Sequence, residues 1–154
     1  MSEPRCRTLF ERRLDAGRVV LPQNLRDALG PRIGLAADIS GSILLTTASS
    51  SQALLEDLLT CSQQHHQSGE LYRLLASTYA EDGLDERGRL LLPHLHREWA
   101  GIGADSEVVL LALGEGIQVW DPLRLDRLLR VSQRHLRELH NVAPRDQFRL
   151  FEDV

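Results

Sequence analysis

The chain has 154 residues, of which 42% are hydrophobic and 26% are charged, and its formal net charge is −4. This composition excludes an intrinsically disordered chain, and the length suffices for one ordinary domain or two small domains packed together. The acidic balance excludes a nonspecific nucleic-acid coat, because such proteins are usually basic. Any nucleic-acid site must therefore be local.

The sequence also indicates the cellular compartment in which we expect the protein. No apolar run approaches the roughly 20 residues that a membrane helix needs, and segment 1–13 is too charged for a secretory signal. We therefore expect a cytoplasmic protein with no membrane partner. Cys6 and Cys61 have neither metal-ligand nor redox spacing, so we expect two reduced thiols without a functional role.

An internal repeat relates segments 13–30 and 83–101. Both contain an Asp followed by Gly-Arg, an aliphatic run, a Pro, an Arg and a final Gly. A constant offset aligns Gly17 with Gly88, Arg18 with Arg89, Pro22 with Pro93, Arg26 with Arg97 and Gly30 with Gly101. Such regularity is unlikely to arise by chance, and it predicts two similar structural units.

Each repeat predicts the same elements in the same order. A turn with Asp and Gly exposes Arg18 or Arg89, and the aliphatic run after it predicts a short strand buried on both faces. The Pro ends this strand and begins a short amphipathic helix, which the final Gly stops. A strand pair joined by a Gly-containing turn follows in each repeat, 36–39 with 43–46 and 107–113 with 117–120.

Three further segments predict longer helices. Segment 51–60 places leucines on one face, a helix capped by Asp121 and Pro122 carries a leucine stripe, and segment 71–79 predicts a bridging helix after the polar turn 63–70. Halves this small cannot cover all these leucines, so we expect a symmetric homo-oligomer. The predicted divisions are a first repeat with its helix (8–69), the bridging helix and second repeat (70–139), and a C-terminal tail (140–154).

Three blocks in the second repeat carry a resemblance to a known family. Segments 84–93 (LDERGRLLLP), 97–101 (REWAG) and 117–121 (IQVWD) resemble the second half of MraZ proteins, within a match that spans about 72–129. The first repeat departs from the family pattern Leu-Asp-x-x-Gly-Arg. Its turn, Leu14 to Arg18, is one residue shorter.

The resemblance implies an α+β fold of two pseudo-symmetric AbrB-like (SpoVT-like) halves, built as a swapped-hairpin-like barrel with flanking helices. It also implies a ring-shaped oligomer that binds repeated promoter sites on double-stranded DNA and regulates transcription. The expected role is repression of a division and cell-wall operon by a nucleoid-associated protein. No enzymatic activity is implied.

The candidate DNA-binding residues cluster at the two turns. They are Arg12, Arg13, Asp15, Gly17 and Arg18 in the first repeat, and Asp85, Arg87, Gly88 and Arg89 in the second. Segment 1–32 holds seven Arg and four acidic residues, a net charge of +3, whereas segment 87–154 holds ten of each. Because the positive field lies in the first repeat, Arg5, Arg7 and Arg26 are further candidates for phosphate contacts.

Other interpretations of the same residues stay open. Arg18 and Arg89 can be surface arginines paired with the preceding Asp15 or Asp85, which would contribute little energy. The five arginines of the last helix favour a solvated face over a nucleic-acid surface. Trp99 and Trp120 are more typical of a core or a subunit interface than of base stacking.

We expect no cofactor, metal or small-molecule substrate. His65, His66, His94 and His96 lack the further ligands that zinc requires, and no nucleophile has a base beside it. Two other functions remain possible. One is an oligomeric scaffold of the same fold that has lost DNA binding, and the other is an AbrB-type antitoxin.

Overall fold

A computed structural model describes residues 8–114 and 116–142. Arg5, Arg7, Cys6 and the tail beyond residue 142 lie outside these described residues. The strands are β1 (Leu9–Arg13), β2 (Arg18–Val20), β3 (Ile33–Ala37), β4 (Ile43–Thr47), β5 (Ala80–Asp82), β6 (Arg89–Leu91), β7 (Glu107–Leu113) and β8 (Gly116–Trp120). The helices are α1 (Gln23–Leu29), α2 (Ala48–Ser62), α3 (His66–Thr78), α4 (His94–Ala100) and α5 (Pro122–Val142). The fold class is therefore α+β.

An antiparallel sheet of six strands forms the centre, in the order β1-β7-β8-β4-β3-β5, and β2 pairs with β6 in a separate two-stranded ribbon. The sheet is open, with β1 and β5 at its edges, so the expectation of a closed barrel is wrong. The physical reason is that β2 and β6, each of three residues, pair with each other instead of joining the two edges of the sheet.

Strands from the two repeats interleave. β1, at the start of the first repeat, pairs with β7 of the second, from Leu9 opposite Leu111 to Arg13 opposite Glu107. β5, at the start of the second repeat, pairs with β3 of the first. The ribbon also joins the repeats, with Val19 opposite Leu90. Each repeat therefore supplies strands that complete the other.

The core lies between the ribbon and the sheet. Val19, Leu21, Leu90 and Leu92 are fully buried, whereas Val20 is 45% exposed. The expectation of strands buried on both faces is therefore wrong, because a two-stranded ribbon turns only one face towards the core. Alternate residues consequently face solvent.

The helices confirm most of the predicted boundaries. α1 and α4 follow Pro22 and Pro93 and end at Gly30 and Gly101. α2 covers the predicted segment 51–60, and the Thr47 hydroxyl caps it by accepting the Ser50 N–H at 3.1 Å. α3 begins at His66, so most of the polar segment predicted as a turn is helical. The leucine periodicity of α3 favours a helix, and the polar residues before the leucines join this helix because their propensities allow a helical conformation.

The chain divides into two compact units, one up to Pro122 and one from Leu123 onward. Most of α5 lies in the second unit, and Leu123, Leu129 and Leu136 are more than half exposed along it. Trp120, at the end of β8, is buried, while Trp99 on α4 is 39% exposed. Within the described ranges, no helix is both long and apolar enough to span a membrane.

Candidate nucleic-acid interface

The first turn is a tight two-residue loop. Asp15 and Arg18 exchange both backbone hydrogen bonds at 2.9 Å, which leaves Ala16 and Gly17 as the loop. Ala16 has a φ of 49° and Gly17 a φ of 80°. Two positive φ values are characteristic of a type I′ hairpin turn, which matches the twist of the flanking strands. The shorter sequence of the first repeat therefore gives a different type of turn.

The second turn has one more residue. The Asp85 and Gly88 N–H groups donate to the Arg89 and Asp85 carbonyls at 2.9 and 3.0 Å, and Gly88 has a φ of 73°. The Asp85 carboxylate also accepts from the backbone N–H groups of Arg87 and Arg89, at 2.9 and 2.8 Å. These hydrogen bonds, above all the one from the Arg89 backbone, lower the pKa of Asp85. The carboxylate therefore fixes the shape of this turn.

Arg89 is held by two carboxylates. Its Nε donates to Asp85 Oδ2 at 2.8 Å, and its Nη1 lies 3.7 Å from Asp15 Oδ2. Only 24% of the Arg89 side chain is exposed. The ion-pair interpretation is therefore confirmed for Arg89. The contact with Asp15 also shows that the two turns are neighbours in space.

Two other arginines at the turns lack such partners. Arg18, half-buried at the start of β2, and Arg87, exposed at the tip of the second turn, have no side-chain hydrogen bond or ion pair with any described residue. Asp15 is a nearby counter-charge, with a side chain that is 82% exposed. Glu86 in the second turn and Asp105, which accepts the Ala16 N–H at 3.1 Å, are exposed as well. The surface at the turns thus combines two cations with three exposed carboxylates.

Arg12 and Arg13 occupy opposite sides of edge strand β1, because side chains alternate along a strand. Arg12 donates to the Glu11 carbonyl at 2.8 Å and lies 5.8 Å from the centre of the Phe10 ring. Arg13 is exposed and opposite Glu107 in the register. Only one of the two can therefore face the same surface as the turns.

Two aligned arginines, Arg26 and Arg97, lie against the glycines of the turns. Arg97 contacts Gly17, and Arg26 contacts Gly88. We predicted Arg26 as a phosphate contact and gave Arg97 no role. The repeat alignment contained the signal, because it paired the two glycines and the two arginines, but it could not show which arginine meets which glycine.

The described histidines do not form a metal-binding cluster. Among the described residues, no group of three or more His, Cys, Asp or Glu side chains could hold a metal ion. His94 lies 3.7 Å from Glu98 on the exposed side of α4, and the buried His96 lies with Nε2 at 2.7 Å from the Thr78 carbonyl. The second ring nitrogen of His96, Nδ1, is buried and has no hydrogen-bond partner among the described residues.

Comparison with known proteins defines the class. No family model matches the chain. A protein of Thioalkalivibrio sulfidiphilus is 31% identical over 109 residues, which cover 68% of this chain and 71% of the relative. A relative from Roseiflexus castenholzii is 26% identical over a match that covers 75% of this chain and 79% of the relative. A relative from Methylococcus capsulatus is 27% identical over a match that covers 84% of this chain and 88% of the relative.

All three relatives are bacterial proteins named as transcriptional regulators, and their shared name is transcriptional regulator MraZ. The similarity to the first relative is high enough, over enough of both chains, to define the family. This chain belongs to the MraZ family.

Proposed function

We propose that the protein is a transcriptional regulator that binds double-stranded DNA in a sequence-specific manner through the two turns. The observation that supports this most is the contact between Asp15 of the first turn and Arg89 of the second, which makes the two turns neighbours. Arg18 and Arg87 at these turns have no side-chain partner among the described residues. The relatives named as transcriptional regulators support the same conclusion.

The residues of the two turns would have different roles in DNA binding. Arg18 and Arg87 have the planar guanidinium that suits both a phosphate and the O6 and N7 edge of guanine. Asp85 and Arg89 shape the second turn. Gly17 supplies a positive φ in the first turn, and Gly88 supplies one in the second. Arg13, exposed on β1, would make a phosphate contact, which positions a protein on DNA without reading sequence.

Affinity would come from assembly. A subunit with a net charge of −4 gains little from nonspecific attraction to DNA, so several subunits must present their turns together to repeated sites. We propose two pseudo-symmetric halves and a ring-shaped homo-oligomer, supported by the interleaved strands and by the exposed leucines of α5. The proposed role is repression of a division and cell-wall operon by a nucleoid-associated protein.

Selection of bound fragments from genomic DNA tests the function directly, followed by titration of the selected DNA at two salt concentrations. Arg18→Ala and Arg87→Ala should each weaken binding at least about fivefold, consistent with the roughly 1–3 kcal/mol of a guanine contact. Arg73→Ala, which removes an exposed arginine from α3, is the matched control and should bind like the wild type.

Asp15 favours a second candidate function. Its exposed carboxylate repels phosphate at the first turn, as expected for an oligomeric scaffold that has lost DNA binding. Failure to enrich any motif over a mock selection, with an intact oligomer by light scattering, would support the scaffold. A 17.3 kDa monomer at micromolar concentration would contradict the assembly proposal.

A further inference from the structure

We infer that Arg97 and Arg26 are positioning residues, each of which sets the turn of the opposite repeat. Arg97, on α4 of the second repeat, holds the first turn, and Arg26, on α1 of the first repeat, holds the second. The consequence for DNA rests on the proposed function, whereas the positioning itself can be tested without DNA.

The first half of this exchange is the contact between Arg97 and Gly17. A Cβ atom on Gly17 would lie 3.3 Å from Arg97 Nε and 3.5 Å from Cζ, so the guanidinium covers the face where a side chain would stand. Arg97 Nε donates to the Leu92 carbonyl at 3.0 Å, and the Leu92 N–H donates to the Gly17 carbonyl at 2.8 Å. Arg97 thus holds the turn directly and through Leu92.

The second half is the contact between Arg26 and Gly88. A Cβ atom on Gly88 would lie 3.0 Å from Arg26 Cζ, 3.4 Å from Cδ and closer still to Nη1. The matching backbone bond runs from the Leu21 N–H to the Gly88 carbonyl at 3.4 Å. Arg26 Nε is buried and has no hydrogen-bond partner among the described residues. The side chain is therefore placed by packing against the turn.

These contacts explain why two surface arginines lie half-buried. Gly17 and Gly88 are buried, and their positive φ values already exclude most side chains. The stacked guanidinium then limits how far each turn can move away from its helix. Because each contact joins the two repeats, removing one arginine should loosen the turn of the other repeat and leave the turn beside its own helix unchanged.

Amide hydrogen exchange measured by NMR on the full chain tests the positioning. Arg97→Met should raise the exchange rate of the Gly17 N–H at least tenfold and leave Gly88 within twofold, and Arg26→Met should do the reverse. Arg97→Lys and Arg26→Lys, which keep the charge and stem, should give the same pattern with smaller changes and serve if a Met variant fails to fold. Arg73→Met controls for losing an exposed arginine. Equal loosening of both turns, or of the turn in the same repeat, would overturn the inference.

Titration of the selected DNA separates positioning from direct contact. Arg97→Met should weaken binding about tenfold in the wild-type and Arg87→Ala backgrounds, but less than twofold in the Arg18→Ala background, since coupled residues are non-additive. A phosphate contact by Arg97 would instead give the same loss in all three backgrounds, which would overturn the inference. If the wild type binds no DNA while the crossed exchange pattern holds, the proposed function fails and the positioning stands.

Discussion

At the residue scale, the two turns differ in type and are held by different hydrogen bonds. The second turn is held from within by Asp85, whose carboxylate accepts two backbone N–H groups. The shorter first turn places a non-glycine residue, Ala16, at positive φ. It relies on bonds from outside, including the Gly17 N–H to the Ala104 carbonyl at 2.8 Å. The first turn therefore depends more on its surroundings.

Ala16→Gly should stabilise the protein. Ala16 has a φ of 49°, a conformation that costs an L residue roughly 1–2 kcal/mol. Glycine removes this strain, but its greater loss of chain entropy on folding costs about 0.5–1 kcal/mol. The expected net gain is up to about 1.5 kcal/mol in the free energy of unfolding, measured by urea denaturation. Gly17→Ala, at the neighbouring position with a φ of 80°, is the matched reverse change and should destabilise. A loss of stability in Ala16→Gly would show that the turn is not strained.

Acid should loosen the second turn. Hydrogen bonds from Arg89 and Arg87 hold the pKa of Asp85 below its ordinary value of 3.8. A lowered folded-state pKa contributes stability above the unfolded pKa, and this stability is lost as the pH falls through the folded pKa. Amide shifts of Arg87 and Arg89 should therefore move below about pH 4. Asp85→Asn should remove this response, and an unchanged titration in that variant would contradict the assignment.

At the element scale, the sequence predicted the elements better than their partners. Pro22 and Pro93 marked the starts of α1 and α4 because proline ends a strand and suits a helix start. The pairing of β1 with β7 and of β3 with β5 was not predictable, since alternation shows which face of a strand is buried but not which strand lies beside it. The expectation of a barrel came from the family resemblance, and the open six-stranded sheet contradicts it.

The candidate site shows the same division. The aligned glycines predicted both turns, because positive φ leaves a clear local signal. The contact of Arg89 with Asp85 could be weighed from the sequence, since the two residues lie close in the chain. Its contact with Asp15, and those of Arg26 and Arg97 with the opposite turns, depend on long-range packing that no local pattern records.

The ribbon should be essential for stability. Leu90 on β6 is fully buried opposite Val19, so Leu90→Ala should lower the free energy of unfolding by about 2–5 kcal/mol through lost burial and a cavity. Leu95→Ala is the matched control, because Leu95 is 56% exposed on α4 and its truncation should change stability by less than about 0.5 kcal/mol. Chemical denaturation of both variants checks this. Equal effects would mean that the ribbon contributes no more than the surface.

At the scale of the whole molecule, the repeats share one sheet. Four strands from each repeat make up the sheet and the ribbon, and β1, β5, β2 and β6 all pair across the repeats. The central contact of β4 with β8 crosses them as well. Two fragments produced separately would therefore lack every one of these pairings and keep only the hairpins β3–β4 and β7–β8.

Separate fragments 8–64 and 65–154, divided between α2 and α3, should not fold as monomers. The first fragment loses β7, β6 and β8, the strands that pair with β1, β2 and β4. It keeps the hairpin β3–β4, and an isolated hairpin is at best marginally stable in water. Mixing equal amounts should restore the strand signal in circular dichroism and a cooperative thermal transition, because each fragment supplies the strands that the other lacks. The full chain with a protease site between Ser62 and His66, cut after folding, is the control and should stay associated. If fragment 8–64 gives a dispersed NMR spectrum as a monomer, the first repeat is an independent domain and the interleaving is not needed for folding.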